Sequence, residues 1–137
     1  MYLVDTNIWL ERLLGQARSD EVGQFLDVVP SNQLFITDFA FHSICVILNR
    51  LKQKTALLAF VQDVFVDGAV SVVSIDPAET RSLLEAMDKY NLDFDDAYQY
   101  LAADLNDLMI VSFDSDLNAT AKGKKTPGEI IAGLKAE

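Results

Sequence analysis

Met1-Tyr2-Leu3-Val4-Asp5-Thr6-Asn7 opens the chain with three apolar residues that run straight into an acid and two polar residues. The helical-looking stretch Ile8–Leu14 follows at once. A short, wholly apolar run before a helix reads as a strand buried on both faces, as in parallel sheets. Asp5 then falls at the strand's carboxyl end, where open α/β sheets bind their ligands. A plainer role is equally available there, because Asp or Thr at this position also N-caps the following helix. The rest of the chain has to decide between them.

Working outward, Gly15 is a stop for the first helix, and Ser19-Asp20 starts a second that carries Val22, Phe25, Leu26 and Val29 on one face and ends at Pro30. Leu34–Thr37 reads as a short buried strand, and Asp38 as the N-cap of a helix with Phe41, Ile44, Cys45, Leu48 and Leu51 at helical spacing. Thr55 opens another helix through Leu58, Val61, Val64 and Phe65, closed near Gly68. Val70–Ile75 is the next strand, and Pro77 begins a helix that runs to about Tyr90. Phe94, Ala97, Tyr98, Leu101, Ala102 and Leu105 trace one face of a helix opening at Asp93. Leu108–Ser112 is a late strand, and Thr126-Pro127 caps a final helix to Leu134. Strands alternating with helices over short connections predict one α/β domain, residues 1–137, with a parallel sheet covered on both faces.

Composition agrees with a compact domain: of 137 residues, 50% are hydrophobic, enough to bury a core without staples. The single cysteine, Cys45, excludes an internal disulfide and fits a reducing compartment. With no apolar run near the ~20 residues of a membrane span and no signal-peptide pattern, the expected location is the cytoplasm, away from the membrane. The formal net charge of −10 opposes general attraction to nucleic acid. It leaves room for a nucleic-acid enzyme in which a bound divalent metal inverts the local field. Two cationic groups, Arg50/Lys52/Lys54 and Lys122/Lys124/Lys125, read as solvated surface when each is taken by itself.

The chemistry has to come from carboxylates. No Gly-rich phosphate loop and no G-x-S-x-G elbow is present, and the only histidine, His42, has no evident partner for a triad. What remains is Asp5, Asp95 with Asp96, and Asp114 with Asp116, at two strand ends and one helix start. If the first and last strands are neighbours, Asp5 and Asp114 come out side by side. Two unit charges ~4 Å apart repel by about 4 kcal/mol at an effective dielectric of ~20, and a divalent cation is the simplest compensation. An all-oxygen set suits Mg²⁺ or Mn²⁺. Asp93 with Asp96 also fits a capping box, and Asp114 and Asp116 fit turn positions. Neither role explains why acids recur after two separate buried strands.

Val4-Asp5-Thr6-Asn7, Phe94-Asp95-Asp96-Ala97 and Ser112-Phe113-Asp114-Ser115-Asp116, in this order and spacing, resemble the motifs of PIN domains. In size and order the match is to the VapC-like ribonuclease toxins, and it extends to Thr126-Pro127-Gly128-Glu129-Ile130-Ile131. The resemblance implies a three-layer α/β/α sandwich whose parallel sheet has four or five strands in the order 3-2-1-4-5. It implies a Mg²⁺- or Mn²⁺-dependent endoribonuclease, the toxin of a type II toxin–antitoxin pair, with RNA as substrate, a VapB-like antitoxin as partner and a homodimer as assembly. Carried over by position, Asp5, Asp96 and Asp114 are the metal ligands, Asp116 an auxiliary catalytic acid, and Thr6, Asn7 and Ser112 supporting residues. The lysine and arginine groups would hold RNA backbone at the rim. One departure stands out: the family's helix glutamate would fall near Ser43, and Asp38 is more than a turn too early to replace it. That opens an alternative, a degenerate PIN domain acting as a binding or regulatory module. A phosphatase or receiver-like reading of the strand-end acids is weaker, because Asp5-Thr6-Asn7 lacks a second aspartate.

Overall fold

In a computed structural model that describes residues 1–137, four short parallel strands form one sheet in the order β3-β2-β1-β4. They are β1 (Tyr2–Val4), β2 (Leu34–Thr37), β3 (Ser71–Val73) and β4 (Met109–Val111). Register follows the apolar runs: Leu3 pairs with Phe35 on one side and Ile110 on the other. The fifth strand of the expected 3-2-1-4-5 order is reduced to one parallel bridge, Val111 to Lys125. The Lys125 amide donates to the Ile110 carbonyl and its carbonyl accepts from Ser112. Lys124-Lys125-Thr126 precedes Pro127, and a strand cannot run on where the chain must turn into a proline-started helix.

Seven α-helices cover the sheet: α1 (Thr6–Leu13), α2 (Ser19–Val28), α3 (Asp38–Arg50), α4 (Lys54–Val61), α5 (Thr80–Tyr90), α6 (Phe94–Leu105) and α7 (Pro127–Lys135). Alternation along the strands sorts the two faces. Val4, Leu34, Ile36 and Val111 pack into the larger core with Ile8, Trp9, Phe25, Ile44, Leu48 and Ile130, from α1, α2, α3 and α7. Leu3 and Ile110 face the other way, against Ala102 and Ala103 of α6. Alanines at that contact let α6 approach the strands closely, while burying Leu3 and Ile110 contributes about 1.5–3 kcal/mol each. Trp9, Phe39 and Phe41 each stack on a neighbour, namely Phe60, Tyr98 and Phe65.

Local chemistry corrects two boundaries. Thr37, not Asp38, caps α3: its hydroxyl accepts from the Ala40 amide at 2.9 Å, and Asp38 is the first helical residue. After α4 the helix widens into a π-turn over Gln62–Val66, and Gly68 closes it. A Cβ on Gly68 would lie 2.6 Å from the Val64 carbonyl oxygen, so the chain can fold back there only with glycine. At the end of α1, Gly15 takes a positive φ of 60°. No helix is long and apolar enough to cross a membrane.

Candidate functional site

The carboxyl ends of the three adjacent strands β2, β1 and β4 each deliver a polar residue: Thr37, Asp5 and Ser112, all buried. Asp5 keeps only 7% of its surface exposed. Four donors hold its carboxylate. Oδ1 accepts from the Thr6 amide and from Gln99 Nε2, both at 2.8 Å. Oδ2 accepts from the Ser112 hydroxyl at 2.8 Å and from Asn7 Nδ2 at 3.3 Å. The Thr6 bond is the N-cap of α1, so the capping role and the site role fall on one residue. Burying a carboxylate costs several kcal/mol, and charge-assisted bonds return about 1.5–3 kcal/mol each. Burial still dominates, pushing the Asp5 carboxyl above its ordinary range against the pull of Gln99, Ser112 and the Thr6 amide.

Asn7 and Ser112 extend this arrangement to the third acid. Asn7 Nδ2 also donates to Ser112 Oγ at 3.1 Å, and Asn7 Oδ1 accepts from the Phe113 amide. Ser112 Oγ accepts from the Asp114 amide at 2.9 Å. The Asp114 carboxylate then caps the short turn after β4, accepting from the Asp116 amide at 2.9 Å. Asp96 enters from the first turn of α6. Asp93 caps that helix by accepting the Asp96 amide at 2.8 Å, but the Asp96 carboxylate does not return the bond, so the capping box is half formed and the acid is free.

One carboxylate oxygen from each of Asp96, Asp114 and Asp116 lies within 4.8 Å of the other two. Asp5, Asp96 and Asp114 line one cavity of about 380 Å³, with Asn7, Phe39, Ser43, Asp93, Asp95 and Gln99 among the other lining residues. Asp96 is pushed up to about 7, first by partial burial and then by Asp114, Asp93 and Asp5. A set of hard oxygen donors with like charges crowded together fits a divalent cation of the Mg²⁺ or Mn²⁺ type. Asp96 and Asp114 have carboxylate oxygens left for it, whereas all four acceptor positions of Asp5 are already engaged.

Ser43 presents its side of α3 to the same cavity, so a hydroxyl stands where the resemblance implied a glutamate. Asp38 is exposed and accepts the Tyr98 hydroxyl at 2.7 Å instead. No lysine or arginine lines the cavity, and the cationic residues differ in how near they come to it. Arg50, Lys52 and Lys54 sit at the far end of α3 and Lys122 lies 3.8 Å from Asp107, at the opposite end of β4 from Asp114, whereas the Lys125 backbone pairs with β4 beside Ser112. His42 is exposed and Cys45 half-buried, with burial pushing its thiol up. Gln99 and Thr37 were not singled out from sequence. Gln99 lies three residues after Asp96, hence on the same helix face, and its Oε1 accepts the Thr37 hydroxyl at 2.8 Å.

A second concavity, about 670 Å³, opens between α1, α2 and α4 and is lined by Trp9, Leu13, Leu26 and Phe60, with Arg12, Asp27 and Asp63 also on its wall. Trp9 Nε1 is buried there without a hydrogen-bond partner.

The family model of the PIN domain matches residues 2–123. No curated protein matches the chain. Among solved structures, a toxin–antitoxin complex from Klebsiella pneumoniae is similar with a TM-score of 0.73 and 21% identity, over 93% of this chain and 98% of that one. VapC20 of Mycobacterium tuberculosis, described as a sarcin–ricin-loop-cleaving toxin, aligns with a TM-score of 0.74 and 18% identity over 89% and 96% of the two chains. FitAcB from Neisseria gonorrhoeae gives 0.73 and 18% over 93% and 98%.

Proposed function

Because this chain belongs to the PIN domain family, we propose that it is a metal-dependent endoribonuclease, the toxin of a type II toxin–antitoxin pair. The observation that carries the reading is the convergence of Asp96, Asp114 and Asp116 within 4.8 Å beside buried Asp5. Asp96 and Asp114 would hold the ion, with Asp116 as the auxiliary acid and Asp5 as the buried carboxyl beside them. Asn7 and Ser112 orient Asp5 directly, and through the Asp114 amide they set the backbone that aims the third carboxylate. When bound, Mg²⁺ or Mn²⁺ supplies a water of lowered pKa and offsets charge growing on the phosphate. RNA as substrate is supported by the neighbour described as cleaving the sarcin–ricin loop, and an antitoxin as partner by the neighbour described as a toxin–antitoxin complex. A homodimer acting in the cytoplasm completes the reading.

Ser43 favours the second reading, a PIN domain whose cavity binds without cutting, since α3 adds no carboxylate to the cavity. Two measurements separate them. Calorimetric titration of Mn²⁺ is expected to show saturable binding that Asp114→Asn removes, and Mn²⁺-dependent cleavage of RNA is expected to vanish in Asp5→Asn. Cleavage that survives Asp5→Asn rejects the nuclease mechanism; absence of Mn²⁺ binding in the native protein moves the assignment to the binding module.

A further inference from the structure

Resting on the ribonuclease reading, we propose that Phe39, Tyr98 and Phe94 form a platform on which an unstacked base of single-stranded RNA lies while the adjoining phosphate faces the carboxylates.

The argument starts from a missing interaction. Proteins ordinarily bind nucleic-acid backbone by neutralising phosphates with lysine and arginine. Here the cavity is lined by Asp5, Asp93, Asp95, Asp96 and Asp114 and by no cationic side chain. Arg18, whose guanidinium lies over the Phe113 ring, is held by Glu21 in a 2.9 Å ion pair. In a chain of net charge −10, uncharged contacts are the ones that the wall of this cavity can offer RNA. Stacking on aromatic rings is the contact that meets this need, because every base has a π face.

Three aromatic rings make a chain of contacts that starts at the cavity wall. Phe39 lines the cavity itself. Its ring centroid is 5.8 Å from that of Tyr98, and Tyr98 is 6.5 Å from Phe94, with tilts of 44° and 37°. Tyr98 cannot swing freely: its hydroxyl donates to Asp38 at 2.7 Å and accepts from the Ile75 amide at 3.0 Å. Phe94 is the first residue of α6, flanked by Asp93 and Asp95, both of which line the cavity. Core packing does not account for it. The apolar contact that normally fixes a helix start pairs the residue before the cap with the fourth helical residue. Leu92 and Ala97 occupy those positions and share a cluster with Ala86 and Tyr100, while Phe94 stays outside with 45% of its surface exposed. Duplex RNA keeps its bases stacked on one another, so the substrate such a platform selects is a loop, bulge or single strand.

The test uses the full-length protein and a uridine hexamer carrying one 2-aminopurine, with Ca²⁺ in place of Mg²⁺ so that hydrolysis does not compete. Binding is expected to quench the aminopurine, and the slope of log K against log salt to stay shallower than about −0.7, the value for a single neutralised phosphate. Phe94→Ala, at an exposed position, is expected to weaken binding roughly 5- to 150-fold, and Phe94→Trp to retain it. Unchanged affinity in Phe94→Ala, absent quenching, or a slope calling for several cation–phosphate contacts would each overturn the platform. Mn²⁺ calorimetry reads the carboxylates independently. A protein that binds Mn²⁺ without quenching keeps its metal site and loses the platform, whereas quenching without Mn²⁺ binding sinks the metal-dependent nuclease and leaves the platform standing.

Discussion

Gln99 donates from Nε2 to Oδ1 of Asp5 across 2.8 Å, ninety-four residues apart in sequence and both buried. The other end of the same amide accepts from Thr37, whose hydroxyl caps α3. One side chain on α6 thus ties the acid at the end of β1 to the start of the helix that carries Ser43.

Replacing Gln99 by Leu leaves Asp5 short of a charge-assisted donor and Thr37 short of an acceptor. The expected cost is about 2–3 kcal/mol, read as a shift in the urea midpoint with an unchanged slope. Gln99→Glu is expected to be worse, since it faces Asp5 with a second acid. A wild-type midpoint in Gln99→Leu would mean that the amide adds nothing to the site's rigidity.

Asp5 itself separates capping from chemistry. Asn caps helices as well as Asp does, so Asp5→Asn is expected to fold while losing RNA cleavage. Asp5→Ala removes the cap and three side-chain hydrogen bonds together, and its melting temperature is expected to fall well below that of Asp5→Asn in the same buffer.

Stability of the metal-free protein carries a definite pH sign. Asp96 is raised from 3.8 to about 7 in the folded state, so between those values the fold holds a proton that the unfolded chain has released. Stability attributable to Asp96 is therefore present at low pH, falls as pH rises through about 7, and stays low above it. Melting in EDTA from pH 4 to 8 measures this, and Asp96→Asn is expected to flatten the fall. Saturating Mn²⁺ is expected to reverse it, because the ion binds the carboxylate form.

Ser43→Glu supplies the carboxylate that α3 lacks. Affinity for Mn²⁺ is expected to rise by about an order of magnitude as ligand charge increases, while the metal-free protein melts lower from added repulsion. Equal Mn²⁺ affinity in the two proteins would show that α3 stands too far from the ion to matter.

The strand ends were legible because buried parallel strands leave an unmistakable apolar run, and a polar residue directly after one is conspicuous. That is how Asp5, Ser112 and Asp114 stand out, and Asp96 follows from its place in a helix start. Gln99 is illegible for the opposite reason: a polar residue inside an amphipathic helix reads as solvent-facing, and only the closeness of α6 to β1 turns it inward. Thr37 was hidden by Asp38, since both are good caps and adjacent, and Asp38 is instead drawn to Tyr98. The placing of the cationic residues is not legible either, because charge along a sequence does not say which end of a strand it will occupy.

Tyr2 pairs with Leu34 on one side and with Met109 on the other, so the central strand acquires its two neighbours at very different times as the chain is made. The longer closure is only about 1 kcal/mol more costly in chain entropy, since that cost grows with the logarithm of loop length. Its effect is on timing. Domains emerge from synthesis N-terminal part first, and until β4 is available Ser112 is missing from the Asp5 cage and Asp114 from the carboxylates. A nascent chain of this topology therefore carries its acids unassembled until β4 has joined the sheet and brought Ser112 and Asp114 beside Asp5.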